Sequence, residues 1–148
     1  MSTKKSQNPF VQGAISPNFI ADSIAAHQAK ISIGGHSIFL GQVRADQTTS
    51  GQTVASISYT AYDEMAKAEI TRIREEVFGK YPITCMHIHH SLGRVLVGEI
   101  CLFVFTSAPH RKEAIEACSE IVERIKREVP IWGQEELSDQ SYLWKENR

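Results

Sequence analysis

Basic side chains stand at both ends of one amphipathic segment near the C-terminal third of the chain. His110 and Arg111 come at its start, directly after a buried-looking apolar run. A helix start presents unpaired N–H groups and the positive end of the dipole, so it binds anions. Cations there cost the helix about 0.3–1 kcal/mol, which favours a functional reason for them. The alternative is that Arg111 pairs with a surface carboxylate such as Glu113 or Glu116.

Two further cations, Arg44 and Lys126, are candidates for a functional role. Arg44 ends an apolar run rich in β-formers, so it is predicted at the end of a strand. Lys126 lies in the last turn of the same predicted helix as Arg111. A cation at a helix C-terminus complements the dipole, and periodicity alone therefore gives Lys126 no role in chemistry.

Histidine and cysteine are the other reactive residue types. His87, His89 and His90 fall on one predicted strand, where residues two apart share a face, but no acidic or cysteine ligand lies at a telling spacing nearby. They are predicted to be partly buried, hydrogen-bonded side chains rather than metal ligands. The three cysteines are odd in number and widely spaced, which predicts reduced, inert thiols: Cys85, Cys101 and Cys118.

Composition places these residues in one compact globular protein. The chain has 148 residues, 42% hydrophobic and 22% charged, with a formal net charge of −1. These values argue against disorder and against a global basic field for nucleic acid. No stretch approaches the ~18 apolar residues that cross a bilayer, and the first residues lack an apolar signal core, so we expect a cytoplasmic protein without membrane contact.

Hydrophobic periodicity predicts the elements that hold the candidate residues. Helical spacing covers residues 16–30, 63–79 and 110–129, and strand-like runs cover residues 37–44, 54–62, 83–90, 94–96 and 100–105. Residues 131–148 are predicted to form a short extended tail. This order favours an α+β fold with two long helices on a largely antiparallel sheet. We expect residues 1–15 to be a flexible arm and residues 16–148 a single domain.

Five short segments together resemble one known family. They are FLGQVR at 39–44, HSLG with VGE at 90–99, SAPHR at 107–111, Lys126, and VPIW at 129–132. In order and spacing they resemble the large catalytic subunit of molybdopterin synthase, over roughly residue 31 to the end. No single segment is specific, but five in order over about a hundred residues make coincidence a poor explanation.

The resemblance implies an α/β hammerhead-like fold with a small extra β portion. It also implies a homodimer of this chain and a small ubiquitin-like sulfur-carrier partner ending in a Gly-Gly thiocarboxylate, together a heterotetramer. The implied reaction moves sulfur from that partner to cyclic pyranopterin monophosphate and forms the dithiolene of molybdopterin. It requires no further cofactor and no metal.

The resemblance also implies a set of site residues. Lys126 would be catalytic, as a proton donor or an electrostatic stabiliser. Arg44, His110 and Arg111 would form one anion site for the substrate phosphate, since guanidinium groups suit phosphate oxygens. The full substrate-binding set is Gln42, Val43, Arg44, His110, Arg111, Lys126, Gly133, Gln134 and Glu135. Because Arg111 and Lys126 lie about 22 Å apart along one helix, a homodimer would have to complete the site.

One position departs from the family pattern. After the Pro-Ile-Trp segment the resemblance implies a second active-site lysine, but this chain has Gly133. Glycine can carry neither a charge nor a proton, so Lys145 or Arg148 in the tail could take its place. The departure also leaves open a non-catalytic scaffold subunit of the same fold. A further alternative is an unrelated small enzyme acting on a phosphorylated ligand.

Overall fold

The computed structural model describes residues 8–145. Along the chain these form β1 (Phe10–Gln12), α1 (Pro17–His27), β2 (Gly35–Gln42), β3 (Val54–Ala61), α2 (Asp63–Lys80), β4 (Cys85–Leu96), β5 (Ile100–Ala108), α3 (Arg111–Glu128), β6 (Ile131–Leu137) and β7 (Tyr142–Trp144). The strands make one seven-stranded sheet in the order β2-β5-β4-β3-β6-β7, with β1 added in parallel beside β4. Every other pairing is antiparallel, so the predicted α+β architecture is confirmed.

The two long helices cover one face of this sheet. Apolar residues of α2 recur every three or four positions, and α3 does the same, so each helix presents one apolar stripe to the strands. These stripes pack on alternate residues of β4 and β5, and the buried core they form includes Ile70, Ile73, Met86, Ile88, Leu102, Val104, Ile121 and Ile125. The helix α1 covers the other face, where Ile20 packs with Phe103 and Phe105.

An ion-pair network ties α3 to α2 near the end that carries Lys126. The Arg124 side chain is only 12% exposed and donates to Glu76 at 2.6 Å and to Glu128 at 3.1 Å. The hydrogen bond from Arg124 lowers the pKa of the Glu76 carboxyl below its usual range. Because this contact joins the two helices, it fixes the last two turns of α3 against the rest of the fold.

The strand β4 is longer than the two short runs predicted at 83–90 and 94–96. Its first half pairs with β5, and from Gly93 onward it pairs with β3. Gly93 has φ +84, a conformation that other residues rarely adopt, so the strand can turn between its two partners without ending. His90 and Ser91 lie just before this bend and are both buried.

The N-terminal segment differs in part from the flexible arm predicted for residues 1–15. Residues 10–12 form β1, Ile15 is 2% exposed in the core, and its N–H donates to the Ile100 carbonyl at 2.9 Å. Apolar side chains at positions 10, 11 and 15 explain this order, because they gain burial by pairing with the sheet. Residues 1–7 lie outside the described part of the chain.

The strand that carries three histidines matches the predicted alternation. His87 and His89 point toward α1, and the Nε2 atoms of His27 and His87 lie 2.8 Å apart. Burial is the main cause that lowers the pKa of His87 to about 4. Among residues 8–145 no group of three or more His, Cys, Asp or Glu side chains is arranged to hold a metal ion. No described helix is long and apolar enough to span a membrane.

Burial on α2 gives a direct test of the packing. Ile73 is fully buried between α2 and the sheet, whereas Met65 on the same helix is 57% exposed. We expect Ile73→Ala to lower the free energy of unfolding by about 2–5 kcal/mol, because it removes buried methylenes and leaves a cavity. The matched change Met65→Ala should stay within about 0.5 kcal/mol. Urea unfolding measures both, and equal effects would contradict this packing.

Candidate active site

Lys126 lies where two adjoining cavities meet. We call them the outer groove and the inner cavity; both are lined by Tyr59, Lys126 and Lys145. Three separate elements supply these side chains: β3, the last turn of α3, and the residue after β7. The β3–β6 and β6–β7 pairings bring the first and third together beside the end of the helix.

The outer groove is the larger space. Its volume is about 480 Å³, within the range of small-molecule sites. One wall is the end of β2 and the residues after it, and the other is β6 with β7. Of the predicted site residues it contains Gln42, Val43, Arg44, Lys126, Glu135 and Lys145. Its rim carries exposed apolar side chains, including Phe39, Leu40, Leu143 and Trp144, the last 63% exposed.

The inner cavity is small, about 60 Å³, and lies between the end of α3 and β6. His90, Trp132 and Gly133 line it together with the three shared residues. Trp132 is 43% exposed, and its ring meets the ring of Tyr62 edge-on at 4.8 Å. The indole therefore covers one side of the cavity while leaving it open to solvent on another.

The charge on Lys126 is set by its surroundings. Burial lowers the pKa of this ammonium, the nearby Cys101 thiol opposes that effect, and the positive charge of Lys145 lowers it further. A lysine with a lowered pKa exchanges its proton more readily near neutral pH, and its charge is poorly screened in a partly buried site. Lys126 can thus either stabilise a developing anion or move a proton.

Tyr59 and Cys101 form the floor of the groove. The Tyr59 hydroxyl donates to the Cys101 sulfur at 3.5 Å, and both side chains are buried. Burial is the largest effect that raises the pKa of Tyr59, and Cys101 and Glu135 raise it further. The phenol therefore stays protonated and is available only as a neutral donor.

His90 is neutral in this site. It is 3% exposed, and its Nδ1 lies 2.8 Å from the Ser91 carbonyl oxygen, which can only accept, so Nδ1 carries the proton. Burial lowers the pKa of His90 to about 4, and the charge of Lys126 contributes in the same direction. Its edge-on contact with the Tyr59 ring, at 5.1 Å, holds the imidazole beside the inner cavity.

Gly133 lies against β3 and below the Lys145 side chain. A Cβ atom at this position would be 2.9 Å from Ile57 Cγ2, 3.3 Å from Tyr59 Cε1 and 3.5 Å from Lys145 Cδ. The Lys145 N–H donates to the Gly133 carbonyl at 2.8 Å. The backbone bond and the missing side chain together allow the stem of Lys145 to cross over position 133.

This contact predicts the effect of adding one methyl group. We expect Gly133→Ala to lower the free energy of unfolding by about 1–3 kcal/mol, because Ile57 and Tyr59 must move to admit it. Gly79, in α2, has nothing within 4 Å of its would-be Cβ. Gly79→Ala should therefore stabilise the protein by about 0.4–1 kcal/mol. Thermal and urea unfolding measure both changes. An unchanged free energy of unfolding in Gly133→Ala would show that Ile57 and Tyr59 move aside without cost.

His110 and Arg111 line neither the outer groove nor the inner cavity. They line a third cavity with three further residues at the start of α3, far from Lys126 at its end. Antiparallel pairing places Gly35 beside Ala108, and Gln42 beside Ile100, so Arg44 lies at the opposite end of β2. Within one chain, the single anion site predicted from Arg44, His110 and Arg111 is therefore not formed.

Of the remaining predicted residues, some line the outer groove and others do not. Arg44 lies in the outer groove but donates to Asp46 at 3.0 Å, and both side chains are well exposed. Gln134 pairs with β3 and β7 and lines neither the groove nor the inner cavity. Arg148 lies outside the described residues.

Sequence reasoning missed several residues of the two cavities. The sequence patterns assign no role in the site to Tyr59, Cys101 or Trp144, and His90 enters only as a strand residue and as part of one segment of the resemblance. The alternation of residues 54–62 places Tyr59 on the same face as Ile57, which indicates burial but not a site. Only the pairing of β3 with β6 and β7 brings these side chains to Lys126.

Comparison with known proteins identifies relatives over most of the chain. Residues 14–128 match the family described as MoaE protein. A molybdopterin synthase catalytic subunit from Pyrococcus abyssi is 41% identical over 129 residues, covering 87% of this chain and 85% of that protein. A molybdopterin synthase catalytic subunit 1 from Aedes aegypti is 35% identical over 130 residues, covering 86% and 81%.

Solved structures show the same architecture. A molybdopterin synthase structure from Staphylococcus aureus superposes with a TM-score of 0.79 at 29% identity, covering 97% of this chain and 99% of that one. A complex of subunits 1 and 2 of the molybdopterin-converting factor from Helicobacter pylori has the same TM-score at 20% identity, covering 94% and 90%. At that identity the second likeness establishes the fold alone.

Proposed function

Since the chain belongs to the MoaE protein family, we propose that it is the catalytic subunit of a molybdopterin synthase. It takes sulfur from the thiocarboxylate of a small ubiquitin-like partner and transfers it to cyclic pyranopterin monophosphate. Two transfers give the dithiolene of molybdopterin, a step of molybdenum cofactor biosynthesis. The names of the relatives from Pyrococcus and Aedes support this assignment.

The observation that carries the proposal is the position of Lys126 at the junction of the two cavities. An open groove with an apolar rim leads to a partly buried ammonium whose pKa is lowered by burial. Exposed apolar surface beside a pocket is typical of a site that a partner covers. An extended C-terminal tail of the small partner would fill the groove and bring its terminal thiocarboxylate to Lys126.

The chemistry then follows from charge. Once the carrier's sulfur is bonded to the substrate, water must cleave the bond between that sulfur and the acyl carbon. The water oxygen adds to the acyl carbon, negative charge grows on the acyl oxygen, and the carrier leaves as a carboxylate while its sulfur stays on the substrate. The ammonium of Lys126 stabilises this negative charge, and covering of the groove strengthens the interaction by excluding water.

The substrate phosphate needs fixed cations. Arg44 supplies one from the same chain, since its exposed pair with Asp46 is worth only about 0–1 kcal/mol and gives way readily. His110 and Arg111 are the other candidates, and they reach the groove only from a second copy of the chain. We therefore propose a homodimer in which the start of α3 in one subunit lies beside the end of α3 in the other.

The cytoplasm is the proposed location. The three cysteines are all buried and free within the described residues, which fits a reducing compartment.

The test is formation of the product. The protein is incubated with thiocarboxylated small partner and cyclic pyranopterin monophosphate, and molybdopterin is detected after oxidation to its fluorescent form. The control replaces the thiocarboxylate with the carboxylate. We expect product only with the thiocarboxylate. Binding of the partner without product would indicate a scaffold subunit, and failure to bind it would indicate an unrelated enzyme.

A further inference from the structure

We infer that Lys145, carried across Gly133 by β7, is a second cation of the site that contacts the anionic reactants together with Lys126. This inference rests on the proposed function and names a residue for it. The anion is either the substrate phosphate or the carrier's terminal thiocarboxylate, and the two sources can be separated by experiment.

Backbone pairing directs Lys145 into the cavities. The strand β7 pairs with β6, so that Trp144 lies opposite Gln134 and the Lys145 N–H donates to Gly133. The Lys145 side chain is partly buried, and its Cδ passes 3.5 Å from the Cβ position of Gly133. A side chain at position 133 would occupy the same space as the Lys145 stem. Its Cβ atom would also clash with Ile57 unless that side chain moved. Gly133 therefore makes room for the lysine.

Two ammonium groups that face the same cavities attract an anion. Lys126 and Lys145 both line the inner cavity and the outer groove; Lys126 lies in the last turn of α3, and Lys145 directly follows β7. A pair of converging cations creates a local positive potential that suits a phosphate or a carboxylate.

The electrostatic coupling gives the inference an independent readout. The charge of Lys145 lowers the pKa of Lys126, so its removal should raise that pKa. The other titratable groups around Lys126 stay unchanged in such a variant: Arg44, Asp46, Tyr59, His90, Cys101 and Glu135. Removal of Lys145 should therefore move the limb of the pH–rate profile that reflects Lys126 titration to higher pH. This holds whether turnover requires the charged or the neutral form of Lys126.

The experiment compares Lys145→Met, Lys145→Arg and the control Lys67→Met in the complete enzyme. We expect Lys145→Met to reduce kcat/KM by about 10–100-fold, the usual effect of losing one charge-assisted hydrogen bond. Lys145→Arg should recover part of this loss, and Lys67→Met should match the unsubstituted protein. A rise in KM for the pterin alone assigns Lys145 to the phosphate, and a rise for the carrier alone assigns it to the thiocarboxylate.

The inference and the proposed function fail in different ways. If the unsubstituted protein makes product and Lys145→Met equals it in kcat, both KM values and pH profile, the inference is overturned while the function stands. If the unsubstituted protein makes no product, the inference is tested by NMR instead. The pKa of Lys126 is measured with isotope-labelled lysine in the unsubstituted protein and in Lys145→Met. An unchanged Lys126 pKa in Lys145→Met would then overturn the inference, and a raised one would support it. Backbone bonds hold β7, so we expect an unchanged Tm.

Discussion

Lys126→Met is expected to reduce product formation by about 10²–10⁴-fold, the range for a positioned acid or electrostatic stabiliser. Methionine keeps the apolar stem of the side chain and removes only the ammonium. Since burial lowers the pKa of Lys126, folding disfavours its charged form; that cost is full at pH values below the lowered pKa and disappears only as the pH rises above the ordinary pKa of lysine. The variant should therefore lose activity while its Tm stays level or rises.

The control for this change is the next residue along the helix. The Arg127 side chain is 64% exposed and lines neither the outer groove nor the inner cavity. Arg127→Ala should keep activity within about twofold and Tm within about 2 °C. Product formation by Lys126→Met at the level of the unsubstituted protein would show that Lys126 is not catalytic, whatever its position in the fold.

A 1:1 mixture of Arg111→Ala and Lys126→Met subunits is expected to recover about a quarter of normal activity, although each variant alone is nearly inactive. The two residues lie 15 positions apart on α3, which spans Arg111–Glu128, so they are about 22 Å apart. If the site combines Arg111 of one subunit with Lys126 of the other, each mixed dimer has one intact site of two, and half the dimers are mixed.

A second mixture makes this test specific. Arg44 and Lys126 line the same groove of one chain, so a mixture of Arg44→Ala and Lys126→Met subunits contains no intact site. We expect it to recover no activity. Exchange of subunits is verified in both mixtures by native mass spectrometry. If mixed dimers form and the Arg111 pair does not complement, the site does not span two subunits.

Local patterns in the sequence predicted the three helices because each carries its own signals. Ser16 caps α1 by accepting from the Phe19 N–H, as its place before Pro17 predicted. The apolar spacing after Asp63 predicted α2, and its four most buried residues are those of the predicted stripe. Such signals act within one or two turns, so a single sequence contains them in full.

The sheet and the site depended on partners that no local pattern identifies. Residues 131–148 were predicted as a short extended tail, yet β6 and β7 form a hairpin on the edge of β3. The polar stretch of β6, with Gly133 inside it, has a weak strand pattern, because Leu137 is its one buried residue and glycine and glutamate are depleted in strands. The place of Lys145 beside Lys126 follows from that pairing, and no spacing along the chain could supply it.

The pairing of β3 with β6 also limits how fast the protein can become functional. Ala61 lies opposite Ile131, which is 70 positions later in the chain. Closing so long a loop loses chain entropy before any contact compensates for it, and sheets built from such distant pairs typically fold in milliseconds to seconds. Helices α2 and α3 can form from their own sequences well before that closure. Because β6 carries Gly133 and Glu135 into the cavities, binding capacity should appear only with the slowest folding step, after most helical structure is already present.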